Sequence, residues 1–133
     1  MEIFNIIVLA ISGLLLCFAG LNRLMKPMAS LCLTQYLQNP DVKLEFKSDV
    51  LNEMRSAGAQ LFLSGVVILL GIAIPSLELT SFVVATLTFL GYAFGRVVSI
   101  KIDGKVCKAL MSGLYSEVIL GSLNLVCLVL IIL

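Results

Sequence analysis

Arg96 and Glu117 are the two residues of this chain whose charge most needs a partner. Arg96 follows directly on a long apolar run, and Glu117 is the only charged residue between Lys108 and Leu133. An arginine at membrane depth costs about 2.5–3.5 kcal/mol on insertion scales, less where it reaches the interface. A carboxyl buried alone disfavours its charged form and keeps a proton. Opposed on neighbouring helices, the two groups relieve both penalties. An intramembrane ion pair is the first chemistry to expect, serving either a ligand or helix register.

Other polar residues fall on stripes with the period of a helix. Glu53, Ala57, Gln60 and Ser64 make one, Tyr92, Arg96, Ser99 and Asp103 a second, and Gly113, Glu117, Gly121 and Asn124 a third. Hydrocarbon offers such residues no partner, so they are expected to face the bundle interior. Counted from the helix ends at about 1.5 Å per residue, Gln60, Arg96 and Glu117 reach similar depths, about 7–14 Å in. The expected polar centre comprises Arg96, Glu117, Glu53, Arg55, Gln60, Asn124 and Tyr92, with Arg96 meeting an anionic head group. Two glycine spacings, Gly91 with Gly95 and Gly113 with Gly121, are expected to bring helices into close contact.

Several chemistries find no support in the residues. The chain has no histidine and no tryptophan, which removes the commonest metal ligand and the commonest general base. Its four cysteines, Cys17, Cys32, Cys107 and Cys127, form no CxxC pair. Cys17 and Cys127 sit in apolar runs and are expected to pack as small hydrophobes; Cys32 and Cys107 fall in segments expected in the cytoplasm, where thiols stay reduced. No nucleophile–base constellation, phosphate-cradling loop or metal-ligand spacing occurs. Acid–base work by Glu117 with Tyr92 or Tyr115 is not demanded by any spacing. No cofactor, metal or nucleic-acid partner is expected, and the reading leans against an enzyme.

The elements that must position the polar centre follow from the charge map. Sixty per cent of the 133 residues are hydrophobic and thirteen per cent charged, and the mean hydropathy is +1.12. Soluble domains carry roughly a quarter charged residues, so this is membrane composition. Uncharged gaps run from Glu2 to Arg23, Arg55 to Glu78 and Glu78 to Arg96, and Glu117 alone interrupts the last. Each approaches the ~20 residues a helix needs to span the bilayer core. The expected architecture is all-α: one domain over 1–133, a bundle of four transmembrane helices near 3–24, 49–74, 77–101 and 107–132. The third gap gives only about 26 Å of rise, which puts Arg96 at or just inside the membrane boundary.

The first span is expected to remain in the membrane, because Glu2 stands where a signal peptide carries cations and no small-x-small site follows. All nine lysines and arginines flank the first and third connections. The positive-inside rule then puts both termini outside and the connection 25–48 in the cytoplasm. Lys101, Lys105 and Lys108 read as topology signals and anionic-lipid contacts. Within the first connection, "MASLCLTQYLQNP" reads as a short interfacial helix. "DVKLEFKS" alternates apolar and charged residues and reads as a brief extended stretch, with Ser48 as N-cap of the second helix. Gly104 is expected to end the third helix.

The stretches "FAGLNRLMKP", "NEMRSAGAQLFLSG" and "GYAFGRVVSIKIDGK", with the lone Glu117 in the last helix, resemble the DUF4345 family over nearly the whole chain. The matching elements are Glu53-x-Arg55 with Gly58, Gly95-Arg96, Asp103-Gly104 and Glu117; this chain has Ala57-Gly58 where the family usually has paired glycines. The resemblance implies a small four-helix membrane protein, mostly bacterial, of undefined function. It brings no substrate.

Three functions follow in order. The first is binding of a lipid-like or apolar small molecule at the inner-leaflet polar centre. The second is a non-catalytic membrane subunit or scaffold, its small-residue faces packing into a homo-oligomer or a larger complex. The third is a small transporter, disfavoured because the first helix has only Asn5, Ser12 and Asn22 as strongly polar members. The expected location is the cell membrane, the inner membrane in a bacterium, crossed several times.

Overall fold

The computed structural model of the chain describes residues 2–27, 41 and 44–133. Four helices account for most of them: α1 (Ile3–Met25), α2 (Leu44–Ala73), α3 (Glu78–Asp103) and α4 (Lys108–Ile132), with a short 3-10 turn, Pro75–Leu77, ahead of α3. Each helix is long and apolar enough to cross a membrane. The architecture is all-α, that of a multi-pass membrane protein.

Local chemistry sets the helix ends. Lys26 closes α1 through its backbone N–H to the Asn22 carbonyl, and Pro27 cannot extend the ladder. Glu78 occupies the first turn of α3, where a carboxylate complements the helix dipole. At the other end Gly104 takes φ 95° and ψ −158°, a region essentially closed to side chains. Its expected helix-ending role is met there.

The N-terminus of α2 departs from expectation. The helix starts at Leu44, so the extended stretch is absent from residue 44 onward and Ser48 lies inside the helix. Three alternating apolar residues are too short a signal to outweigh Leu44, Glu45 and Lys47, all good helix formers. The expected interfacial helix over 28–40 lies outside the described residues.

The helices pair as two antiparallel hairpins. α1 packs extensively on α2 and α4 on α3, while α2 against α3 joins the hairpins and α1 meets α3 and α4 sparsely. The core between them is built from Leu9, Leu16, Leu61, Ile68, Phe82 and Phe89.

Glycine makes the first hairpin tight. A Cβ on Gly58 would stand 2.7 Å from the Leu24 nitrogen, and one on Gly65 2.7 Å from the Cys17 nitrogen. From the other side, a Cβ on Gly20 would meet the Gly58 carbonyl at 2.7 Å and one on Gly13 the Gly65 carbonyl at 3.1 Å. Gly13 and Gly20 thus oppose Gly65 and Gly58 in antiparallel register, seven residues apart on each helix. Cys17 adds a weak bond, its Sγ 3.8 Å from the Phe62 carbonyl. Gly91 and Gly95, expected to make a close helix contact, have nothing within 4 Å of a would-be Cβ. A small-x-x-x-small spacing permits close approach without requiring it, and no described helix lies across that face.

Side chains tie the sparse contacts. Asn124 Nδ2 donates to Ser12 Oγ at 2.8 Å, linking α4 to α1, and Asn5 Nδ2 donates to Glu78 Oε1 at 2.9 Å, linking α1 to α3. Ser81 Oγ bonds the Val67 carbonyl at 2.9 Å between α3 and α2. Such bonds contribute about 0.6 kcal/mol on average in membranes, up to about 1.7.

Alanine substitutions separate the two kinds of glycine. Gly58→Ala and Gly65→Ala should each destabilise by about 1–3 kcal/mol through overpacking. Gly91→Ala and Gly95→Ala should leave stability unchanged or slightly raised. Thermal unfolding in mild detergent reads the difference, and equal losses at all four positions would contradict the packing.

Candidate functional site

The polar residues of α3 and α4 meet as their depths require. Arg96 Nε lies 2.7 Å from Glu117 Oε2 and 3.0 Å from Oε1, donating to both carboxylate oxygens. The side chains retain 18% and 13% of their exposure, so the pair is largely screened from solvent. At such depth a Coulombic contact keeps more of its strength than at a surface. Gly113 sits one turn before Glu117, and a Cβ there would reach Arg96 Nη2 at 3.5 Å. Gly121, one turn after, packs against Phe89 and Leu90. The two glycines therefore differ: one adjoins the guanidinium, the other seats the helix.

Arg96 also opens onto a cavity of about 670 Å³ between the hairpins. Its polar lining comprises Arg23, Gln60, Thr88, Tyr92, Arg96 and Ser99, and its apolar lining includes Met54, Leu61, Leu87 and Leu110. Gly91 and Gly95 line it too, which gives their bare faces a role as free space. A smaller cavity of about 250 Å³ adjoins it through Arg23, Tyr92 and Arg96, and reaches Gly113 and Glu117. Leu87 remains 69% exposed, so the larger space opens sideways, toward where lipid would lie.

Arg23 is a charged cavity-lining residue that sequence reasoning missed. It lines both cavities, and its guanidinium carbon lies 5.6 Å from the Tyr92 ring centroid, within cation–π reach. A cation in the last turn of an apolar helix reads as a topology signal. Its helical face, two turns beyond Leu16 in the core, was the available clue.

The remaining expected site residues separate. Arg96, Tyr92 and Gln60 come together on the larger cavity and Glu117 on the smaller. Glu53 and Arg55 are exposed and line neither; Arg55 Nη1 instead donates to the Leu24 carbonyl at 3.4 Å. Asn124 is fully buried, far from the cation-rich end, and serves the Ser12 tie. Its Oδ1, like the Thr86 hydroxyl, has no hydrogen-bond partner among the described residues. Asp103 accepts from Ser99 Oγ at 2.8 Å.

Cys107, at the N-cap of α4, is disulfide-bonded, a correction to the reduced thiol expected there; Cys32 lies outside the described residues. Cys17 and Cys127 are free. No three His, Cys, Asp or Glu side chains gather as a metal site among the described residues.

The ion pair is open to a direct check. In a double-mutant cycle, Arg96→Ala and Glu117→Ala should couple by about 1–3 kcal/mol in unfolding free energy. Additive losses would mean that the contact contributes nothing to stability.

Comparison with known proteins adds one finding. No curated protein and no solved structure matches the chain. The sequence model of a family described as a domain of unknown function, DUF4345, matches residues 4–128. With nearly its whole length covered, the chain belongs to the DUF4345 family.

Proposed function

We propose that this membrane protein binds a lipid-like amphiphile in the cavity between its hairpins, with the head group toward Arg23 and Arg96. The observation that carries the reading is the space itself: about 670 Å³, lined by two arginines and by apolar residues that include Leu61 and Leu87. That volume lies in the range of small-molecule sites, which combine apolar lining with a few convergent polar groups. Gly91 and Gly95 keep the wall open, since any larger side chain there projects into it.

A second reading makes the chain a membrane subunit whose α3 glycine face receives a helix from another copy or from a larger complex. The bare Cβ positions of Gly91 and Gly95 favour it. One double substitution distinguishes the two. Gly91→Leu with Gly95→Leu should strip a co-purifying amphiphile from detergent-solubilised protein, read by mass spectrometry of the extract, and leave the oligomeric state unchanged in crosslinking. Loss of an assembly with no change in bound amphiphile would favour the subunit.

Orientation belongs to the same proposal. Arg23, Lys26, Lys47, Arg55, Arg96, Lys101, Lys105 and Lys108 all flank one end of the four helices, which the positive-inside rule places in the cytoplasm. The Cys107 disulfide pulls the other way, toward an oxidising compartment. Eight cations at that end outnumber the single cross-link and favour the cytoplasmic assignment. Accessibility labelling at positions 47 and 105 should find both on the cytoplasmic side; labelling of both from outside would invert the assignment.

A further inference from the structure

The charge balance of the cavity names a residue and a ligand class. Arg23 and Arg96 line it together, and Glu117 stands behind Arg96. Arg96 spends its Nε on both oxygens of Glu117. Arg23 has no carboxylate partner among the described residues and lies instead over the Tyr92 ring. A cation–π contact at that distance spends none of the guanidinium's N–H donors on an oxygen, and no hydrogen bond holds them among the described residues. Those donors form a planar fork, suited to paired oxygen acceptors.

We infer that Arg23 is the head-group anchor, and that the cavity selects an acyl amphiphile with a single negative charge on oxygen, a carboxylate or a phosphodiester. The inference rests on the amphiphile reading above and adds to it the anchoring residue and the charge class. Among the described residues, two arginines less one carboxylate leave one positive charge uncompensated. A dianionic head would leave a negative charge unpaired in low dielectric, where that is costly. A zwitterionic head would bring its own cation to Arg23. From the anchor the chain would run along Leu61 and past Gly91 to Leu87, leaving by the side that faces lipid. Arg96 and Glu117 then act as positioning residues that hold α3 to α4 and set the charge the ligand must match.

The test uses the full chain in neutral detergent and native mass spectrometry with four palmitoyl probes: palmitate, monoacyl phosphatidylglycerol, monoacyl phosphatidylcholine and monoacyl phosphatidate. The wild type should bind at least one of the first two about tenfold or more tightly than the phosphatidylcholine, as a charge-assisted bidentate contact implies; which one leads distinguishes a carboxylate from a phosphodiester ligand. R23Q should reduce that preference to about threefold or less while still binding through the chain. E117Q, which adds a positive charge and keeps Arg23, should raise the doubly charged phosphatidate to rank with the monoanions. An unchanged preference in R23Q overturns the assignment, and so does an unchanged order in E117Q. Should R23Q fail to fold, the E117Q order decides alone. Equal binding of all four by the wild type defeats the charge class and leaves the amphiphile reading standing; binding of none defeats both.

Discussion

In the hydrocarbon core no water competes for a polar group, so each must find its partner within the protein. Arg96 and Glu117 are the residues on which that constraint bears hardest. Their ion pair fixes how α3 lies on α4, because the two residues meet only when the helices run antiparallel with these positions level. It also decides what the nearby space looks like to a ligand. With Glu117 occupied by Arg96, the cavity's other arginine, Arg23, has no carboxylate partner among the described residues and is held over Tyr92. Structure and proposed specificity thus share one electrostatic ledger.

The space exists because the two hairpins are packed by different means. Between α1 and α2, opposed glycines let backbone meet backbone, as at Gly20 and Gly58. Close approach of this kind replaces side-chain bulk with dispersion contacts, the main attraction available between helices in lipid. Between the hairpins the core depends on larger side chains such as Phe82 and Phe89. Toward the cation-rich end those give way to Tyr92, Gln60 and bare glycine faces, and the helices no longer fill the gap. The opening thus lies between the two hairpins, next to the tight contact of α1 and α2.

Much of this was legible in the sequence, for a physical reason. Charge is so costly in hydrocarbon that gaps between charged residues mark the spans, and the four helices follow them closely. Depth along a helix is also readable, which is why Arg96 and Glu117 could be matched. Rotation about each helix axis, and which neighbour lies across a given face, are not. Glu53 shares a stripe with Gln60, yet it is exposed and lines neither cavity. Asn124 faces inward as expected but finds Ser12, too deep to join the cavity. Gly91 and Gly95 carry the spacing associated with close packing, whereas the glycines that bring backbone against backbone are seven apart on α1 and α2. Arg23 was hidden by its position, since a terminal cation serves topology whatever else it does.

The most direct measurement is an experimental density map of the protein in a lipid nanodisc. The account requires elongated density in the cavity, one end within hydrogen-bonding distance of Arg23 and the rest passing Gly91 toward the bilayer. A protein helix seated against Gly91 and Gly95, or a cavity closed by side chains with Arg23 turned to water, would contradict it.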